Sequence, residues 1–345
     1  MRRRGRLRER VERLRPPRRG HVILSYHRIA DVELDPSGLS VSPARFKAHM
    51  AMLAERAVPS PLARLARGDT ADARAAVTVT FDDGYVDNLS VARPILERFG
   101  VPATVFIPSG AVGRAGGYWW DTLETVVFGA ASLPDSLDVE IGGRRLAARV
   151  RDDGGERDRS GRYRGWRVWR GPARTPRQRL YTRLWEALLV VPDPERRSAL
   201  RELSSWAGTV LPIATHSTLD ARGIRELIEG GLIELGAHTV THATLPELPP
   251  EAQRAEIVDG RGRLEELVGA PVAAFSYPYG AYTDETVGLV RDAGFECAVT
   301  TLPGAVTPGM DPHRLPRLSI GDWAPRAFAR RVGRYLRRPG TPDGD

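Results

Sequence analysis

The chain has 345 residues, 41% hydrophobic and 27% charged, a composition that suits a soluble globular protein of one large domain or two ordinary ones. No apolar run is long enough to span a bilayer. Cys297 is the only cysteine, which excludes an intrachain disulfide and a thiolate-rich metal site, so any metal must be held by His and carboxylate.

Residues 1–20 hold ten Arg and two Glu and account for the whole net charge of +8; the rest of the chain balances at 41 basic and 41 acidic groups. These residues lack the apolar centre of a signal peptide and read as a basic, disordered leader. The expected location is therefore cytoplasmic. A second reading puts the chain at the inner membrane face, with the leader in peripheral contact with anionic lipid. A charge-balanced fold gives no support to a nucleic-acid partner. His21 to Tyr26 is a short apolar run and a candidate buried strand, ending at His27-Arg28. Ser42-Pro43 opens a helix, with Ser as N-cap and Pro in the first turn. Val77-Thr78-Val79-Thr80-Phe81 is a β-branched strand that stops at Asp82-Asp83-Gly84. A helix over 88–99 closes at Gly100, and Ala103 to Ile107 is the third strand.

Residues 111–215 break this rhythm and read as an insertion. They contain aromatic Tyr118-Trp119-Trp120, a hairpin turning at Gly142-Gly143, a loop-like stretch over 151–179 and a helix pair over 180–206. Alternation then resumes. Strands over 232–237, 272–277, 295–300 and 315–320 are separated by helices over 220–229, 250–268 and 283–293, with a last helix over 324–336. Seven strands alternating with helices argue for a parallel sheet, most simply a deformed (β/α) barrel with a large insertion after the third strand. The barrel comprises 21–110 and 216–338, and 339–345 is a disordered tail. The active site of such a barrel lies at the C-terminal strand ends. Here those ends carry His27, Asp82-Asp83, His238 and Tyr277-Pro278-Tyr279.

His238-Thr239-Val240-Thr241-His242 spaces two imidazoles four apart. On one helical turn both would face the same ion. With Asp83 they make a three-ligand site with open positions for water, the arrangement of catalytic zinc, although other divalent transition metals accept these ligands too.

Thr80-Phe81-Asp82-Asp83-Gly84 and Ala237-His238-Thr239-Val240-Thr241-His242 together resemble the first two motifs of the polysaccharide deacetylases, the NodB-type carbohydrate esterases. Phe275-Ser276-Tyr277-Pro278-Tyr279-Gly280 is similar to their third. The resemblance covers roughly residues 20–110 and 216–320. It implies metal-dependent removal of N- or O-acetyl groups from a glycan, with Asp83, His238 and His242 as metal ligands, Asp82 as general base and an oxyanion donor near Pro278 and Tyr279. In two places the chain departs from that pattern. Ser276 stands where many members carry the Arg that orients the base; Arg317 is the candidate substitute, grouped with the substrate-side residues. The late Leu-x-His that supplies the acid is not evident, and His313 precedes its strand and should face the opposite rim. Leu24-Ser25-Tyr26-His27-Arg28-Ile29 resembles the early His motif of the biofilm-type poly-N-acetylglucosamine deacetylases, which implies His27 as the acid. The insertion's aromatics could stack on sugar faces or build a small core of their own. Two other functional readings are a metal-dependent amidase or esterase acting on something other than a glycan, and a non-catalytic carbohydrate-binding barrel.

Overall fold

The computed structural model describes residues 20–67, 75–150, 165–210 and 216–337. The expected leader, apart from Gly20, the expected tail and residues 151–164 of the loop-like stretch lie outside these residues. Seven barrel strands follow one another along the chain: β1 (His21–Tyr26), β2 (Ala76–Phe81), β3 (Ala103–Ile107), β4 (Ile233–Ala237), β5 (Ala274–Ser276), β6 (Cys297–Val299) and β7 (Arg317–Ser319). All pairings among them are parallel, in the order β6-β5-β4-β3-β2-β1-β7. The sheet nearly closes on itself. Val299 bridges Leu315, just before β7, and the Leu315 N–H donates to the Ala298 carbonyl at 3.0 Å. Every residue of β1, β2 and β3 is buried, as expected for parallel strands covered on both faces, which is why they read as continuous apolar runs. The deformed barrel expected from the alternation is the fold observed. β5, β6 and β7 are shorter than their apolar runs at both ends.

The helices that matter below are α1 (Pro43–Arg56), α2 (Arg93–Phe99), α3 (Trp119–Glu124), α4 (Pro176–Leu189), α5 (Asp193–Ala207), α6 (Ala221–Ile228), α7 (Pro250–Val268), α8 (Asp284–Asp292) and α9 (Pro325–Arg337). Two local expectations change. The helix over 88–99 begins as a wide π-turn at Asn88–Ala92 before tightening into α2; Pro94 has no N–H to supply an ordinary helical bond there. Ser42 does not cap α1. Its hydroxyl instead donates to Asp322 Oδ1 at 2.8 Å. Thr283 does cap α8, accepting from the Thr286 N–H at 3.2 Å.

After β3 the chain builds a second core. The hairpin strands Ser136–Ile141 and Arg144–Arg149 join at Gly142 and Gly143, both left-handed at φ 58° and 71°, the geometry that a two-residue hairpin turn needs. Leu137, Val139 and Ile141 point inward and pack with Leu180, Leu184 and Leu203 from α4 and α5. Tyr118, Trp119 and Trp120 belong to the same core at 3%, 7% and 6% exposure. They are wall, not open sugar platforms, whereas Trp169 is 56% exposed.

Candidate metal centre and active site

Asp82 continues the β2 ladder by donating its N–H to the Tyr26 carbonyl at 3.0 Å. The chain then turns sharply. Asp83 is left-handed at φ 75° and Gly84 at φ 62°. A side chain at 84 would strike Ile107 Cγ1 at 2.9 Å, so only glycine fits. His238 follows β4 directly, its N–H reaching the Ile107 carbonyl at 3.2 Å. Its ring Nδ1 lies 2.7 Å from the Ser276 carbonyl, which accepts the ring proton there and leaves the Nε2 lone pair for a ligand.

His242 arrives by a different route from the one its spacing suggested. Residues 238–242 form no helical turn, because Thr239 (φ 66°) and His242 (φ 62°) are both left-handed. The loop is held from within and behind. Thr239 Oγ1 accepts the His242 N–H at 3.0 Å, and Glu256 of α7 accepts the Val240 and Thr241 N–H groups at 2.9 and 2.8 Å. Among the described residues, the non-glycine residues with positive φ are Asp83, Thr239, His242 and Tyr279. All four sit at these strand ends, where a strained backbone is retained only because its surroundings enforce it.

The result is a buried triad. Asp83 Oδ1 lies 3.3 Å from His242 Nε2 and 3.8 Å from His238 Nε2, and one ligand atom from each residue falls within 4.8 Å of the others. Asp83 Oδ1 has no hydrogen-bond partner among the described residues. A buried carboxylate oxygen facing imidazole nitrogens without a donor is costly unless a cation or proton completes it. Burial pushes the Asp83 carboxyl up to about 6, although His27 and His238 oppose the shift. Burial pushes His238 and His242 down to about 4, so both rings are neutral near pH 7, as ligands must be. The donor set therefore fits a divalent ion.

Asp82 sits beside the triad in a different environment. Arg317 grips it with both arms, Nη1 to Oδ1 at 2.8 Å and Nη2 to Oδ2 at 2.7 Å. Burial alone would raise the Asp82 carboxyl. The Arg317 charge and its hydrogen bonds outweigh it and hold the group well below the usual carboxylate range. Arg317 Nη2 also donates to Ser276 Oγ at 2.9 Å, and Nε to the Thr300 carbonyl at 2.9 Å. The guanidinium is fully buried, so it stands behind Asp82 and does not face a substrate as the sequence grouping suggested. His27 Nε2 lies 4.0 Å from Asp82 Oδ2, with its side chain 25% exposed. Tyr279, left-handed at φ 58°, follows buried Pro278, and its ring meets that of His242 edge-on at 4.7 Å. His313 hydrogen-bonds the Phe295 carbonyl at 2.8 Å, near the start of β6 and away from the site, on the rim expected for it.

Sequence reasoning missed a buried network behind Asp83. The Tyr118 hydroxyl donates to the Asp83 carbonyl at 2.6 Å. Asp121 of α3 accepts from the Tyr85 hydroxyl and the Tyr118 N–H, each at 2.8 Å, and lies 3.0 Å from His216 Nδ1. Trp120 packs edge-on against His242 at 5.1 Å. A lone Asp in an aromatic run carried no signal; the contacts that matter join residues 36 and 95 positions apart.

Comparison with known proteins agrees with this picture. The polysaccharide deacetylase family profile matches residues 69–133 and 203–298, passing over the hairpin and most of the helix pair. YxkH of Bacillus subtilis (strain 168), named as a polysaccharide deacetylase, is 20% identical over 302 residues, covering 86% of this chain and 70% of its own. Among solved structures, the Streptococcus pyogenes deacetylase PplD in complex with acetate has a TM-score of 0.55 at 18% identity, covering 91% of this chain and 98% of its own. IcaB from Ammonifex degensii has a TM-score of 0.55 at 18% identity, covering 93% and 98%. At these identities the structures speak for the fold alone, and the profile match shows that this chain carries a polysaccharide deacetylase domain.

Proposed function

We propose that this protein is a metal-dependent hydrolase that removes acetyl groups, most simply N-acetyl, from a glycan. The observation that carries the reading is the pairing of unlike neighbours: Asp83 converges with His238 and His242, while Asp82 is kept out of that triad by Arg317. Held by the triad, a zinc or other divalent transition-metal ion would acidify a water and polarise the acetyl carbonyl.

The chain's own residues supply the rest. Asp82, ionised and aimed by Arg317, takes the proton of the attacking water. Its depressed pKa makes it a weak base, so it need hold that proton only briefly. His27 is within a small ring movement of hydrogen-bond contact and passes the proton to the leaving nitrogen as the C–N bond breaks. The backbone N–H of Tyr279, at the turn stiffened by Pro278, is the candidate donor to the developing oxyanion. Water supplies the oxygen of the released acetate, and its proton ends on the amine, so the step balances. The Streptococcus pyogenes relative, solved with acetate, fits such a product.

Acetate release from a short N-acetylglucosamine oligomer tests the reading, with zinc supplied and then chelated. Release that needs the metal supports it. Cleavage of simple amides or esters but not of the oligomer would favour a non-glycan amidase or esterase. Oligomer binding without release, metal present, would favour a carbohydrate-binding barrel.

A further inference from the structure

Residues 21–345 are neutral overall, but their charge is not evenly spread. α9 carries Arg326, Arg330, Arg331, Arg334 and Arg337 and no acidic residue. Arg326, Arg330, Arg334 and Arg337 recur at helical spacing and are exposed, so they form one stripe along the helix. Phe328, Val332 and Tyr335 point the other way, into the core. Beside the stripe, between α1 and α9, runs an apolar groove of about 560 Å³ walled by Met52, Ala329 and Leu336, with Arg56 and Arg337 also lining it. The Gly20 N–H donates to the Leu336 carbonyl at 3.0 Å. The leader, with its ten arginines, therefore joins the fold at the C-terminal end of this helix. That end lies beside the start of β1, whereas the candidate active site lies at the opposite ends of the strands.

Three occupants of this surface can be weighed. The leader itself offers Leu7, Val11 and Leu14, but docking it would press its arginines against Arg56, Arg337 and the stripe. Nucleic acid would neutralise the arginines but has no use for an apolar groove between them. An anionic bilayer satisfies both features: phosphate headgroups meet the arginines, and lipid chains meet the groove.

We propose that the α1–α9 face is the surface by which this protein binds anionic phospholipid bilayers. The contact leaves the active-site rim uncovered.

The test is co-sedimentation of the full chain with phosphatidylglycerol–phosphatidylcholine vesicles and with phosphatidylcholine vesicles alone. Wild type should bind only the anionic vesicles, less so at high salt. Each arginine near such a surface strengthens partitioning roughly fivefold. The variant Arg326→Gln/Arg330→Gln/Arg334→Gln/Arg337→Gln, leader intact, should therefore lose roughly six hundredfold. The pairs Arg326→Gln/Arg330→Gln and Arg334→Gln/Arg337→Gln serve if the quadruple variant misfolds, and each should lose about tenfold or more. Met52→Asp, which alters the groove on a half-buried residue, should weaken binding further than one added charge does at high salt. Unchanged binding by the α9 variants would overturn the proposal. So would loss of all binding on replacing only the leader arginines by Gln, or tight binding of a DNA duplex with none of anionic vesicles.

Discussion

Asp82 and Asp83 are adjacent, equally buried and of one residue type, yet their surroundings push their carboxyls in opposite directions. Arg317 stabilises the charge on Asp82, whereas Asp83 Oδ1 faces two neutral rings without a donor among the described residues. Their substitutions should separate accordingly. Asp83→Ala is expected to lose metal and activity together, and Asp82→Asn to keep metal while turnover falls about 10²–10⁴-fold. Metal content by elemental analysis beside kcat decides; loss of metal in Asp82→Asn would merge the two roles. Arg317→Lys keeps a positive charge but loses the fork that orients Asp82. Turnover should drop about 10²-fold with metal content unchanged, and a wild-type rate would show that the fork does not matter. His27→Ala should cut kcat at constant metal content, and full turnover would remove it from the proton path.

At the scale of elements, the site is a set of loops held by the elements behind them. Glu256 of α7 secures the turn that presents His242. Gly260 lets α7 approach it, since a side chain there would meet the Thr239 carbonyl carbon at 2.9 Å. On the other side, Asp121 of α3 ties Tyr85, Tyr118 and His216 together behind Asp83. Partners of this kind behind metal ligands are typically worth 10–100-fold in metal affinity. Asp121→Asn should therefore weaken zinc binding about tenfold or more with the barrel intact by circular dichroism. Unaltered affinity in a calorimetric titration would make Asp121 merely a core residue.

At the scale of the molecule, the packing of α1 and α9 against β1 makes stability depend on pH. His49 of α1 stacks on Phe328 of α9 at 3.9 Å, donates Nε2–H to the Trp323 carbonyl at 2.9 Å and accepts from the Tyr26 hydroxyl at Nδ1. Burial pushes its pKa from 6.5 down to about 4. The folded state thus binds fewer protons than the unfolded chain between these values. Its contribution is complete above about pH 6.5 and is lost as pH falls through 4, up to roughly 3 kcal/mol. His21 shifts in the same direction. The urea midpoint should fall between pH 7.5 and pH 4.5, and His49→Gln should reduce that fall; an equal fall in the variant would place the sensitivity elsewhere. Zinc, binding only the folded chain, should raise the melting temperature, and chelation should reverse it. Among the described residues, no helix is long and apolar enough to cross a membrane.

Much of this was legible in the sequence because it rests on short-range rules. Continuous β-branched and apolar runs mark strands buried on both faces, and seven of them alternating with helices imply the barrel. Polar residues placed where those runs stop mark the rim, so Asp82, Asp83, His27, His238 and His242 could be singled out before any coordinates. The hairpin at Gly142-Gly143 and the cap at Thr283 follow from local turn chemistry. What the sequence could not decide depends on contacts between distant segments. The pair His238 and His242 suggested a helical turn, yet left-handed residues pinned by Glu256 bring the rings together. Ser276 looked like a lost arginine, and only the adjacency of β7 and β1 in the sheet shows Arg317 reaching Asp82 across 235 residues. Asp121 was invisible because a buried carboxylate acquires meaning only from the hydroxyls and ring that the fold delivers to it.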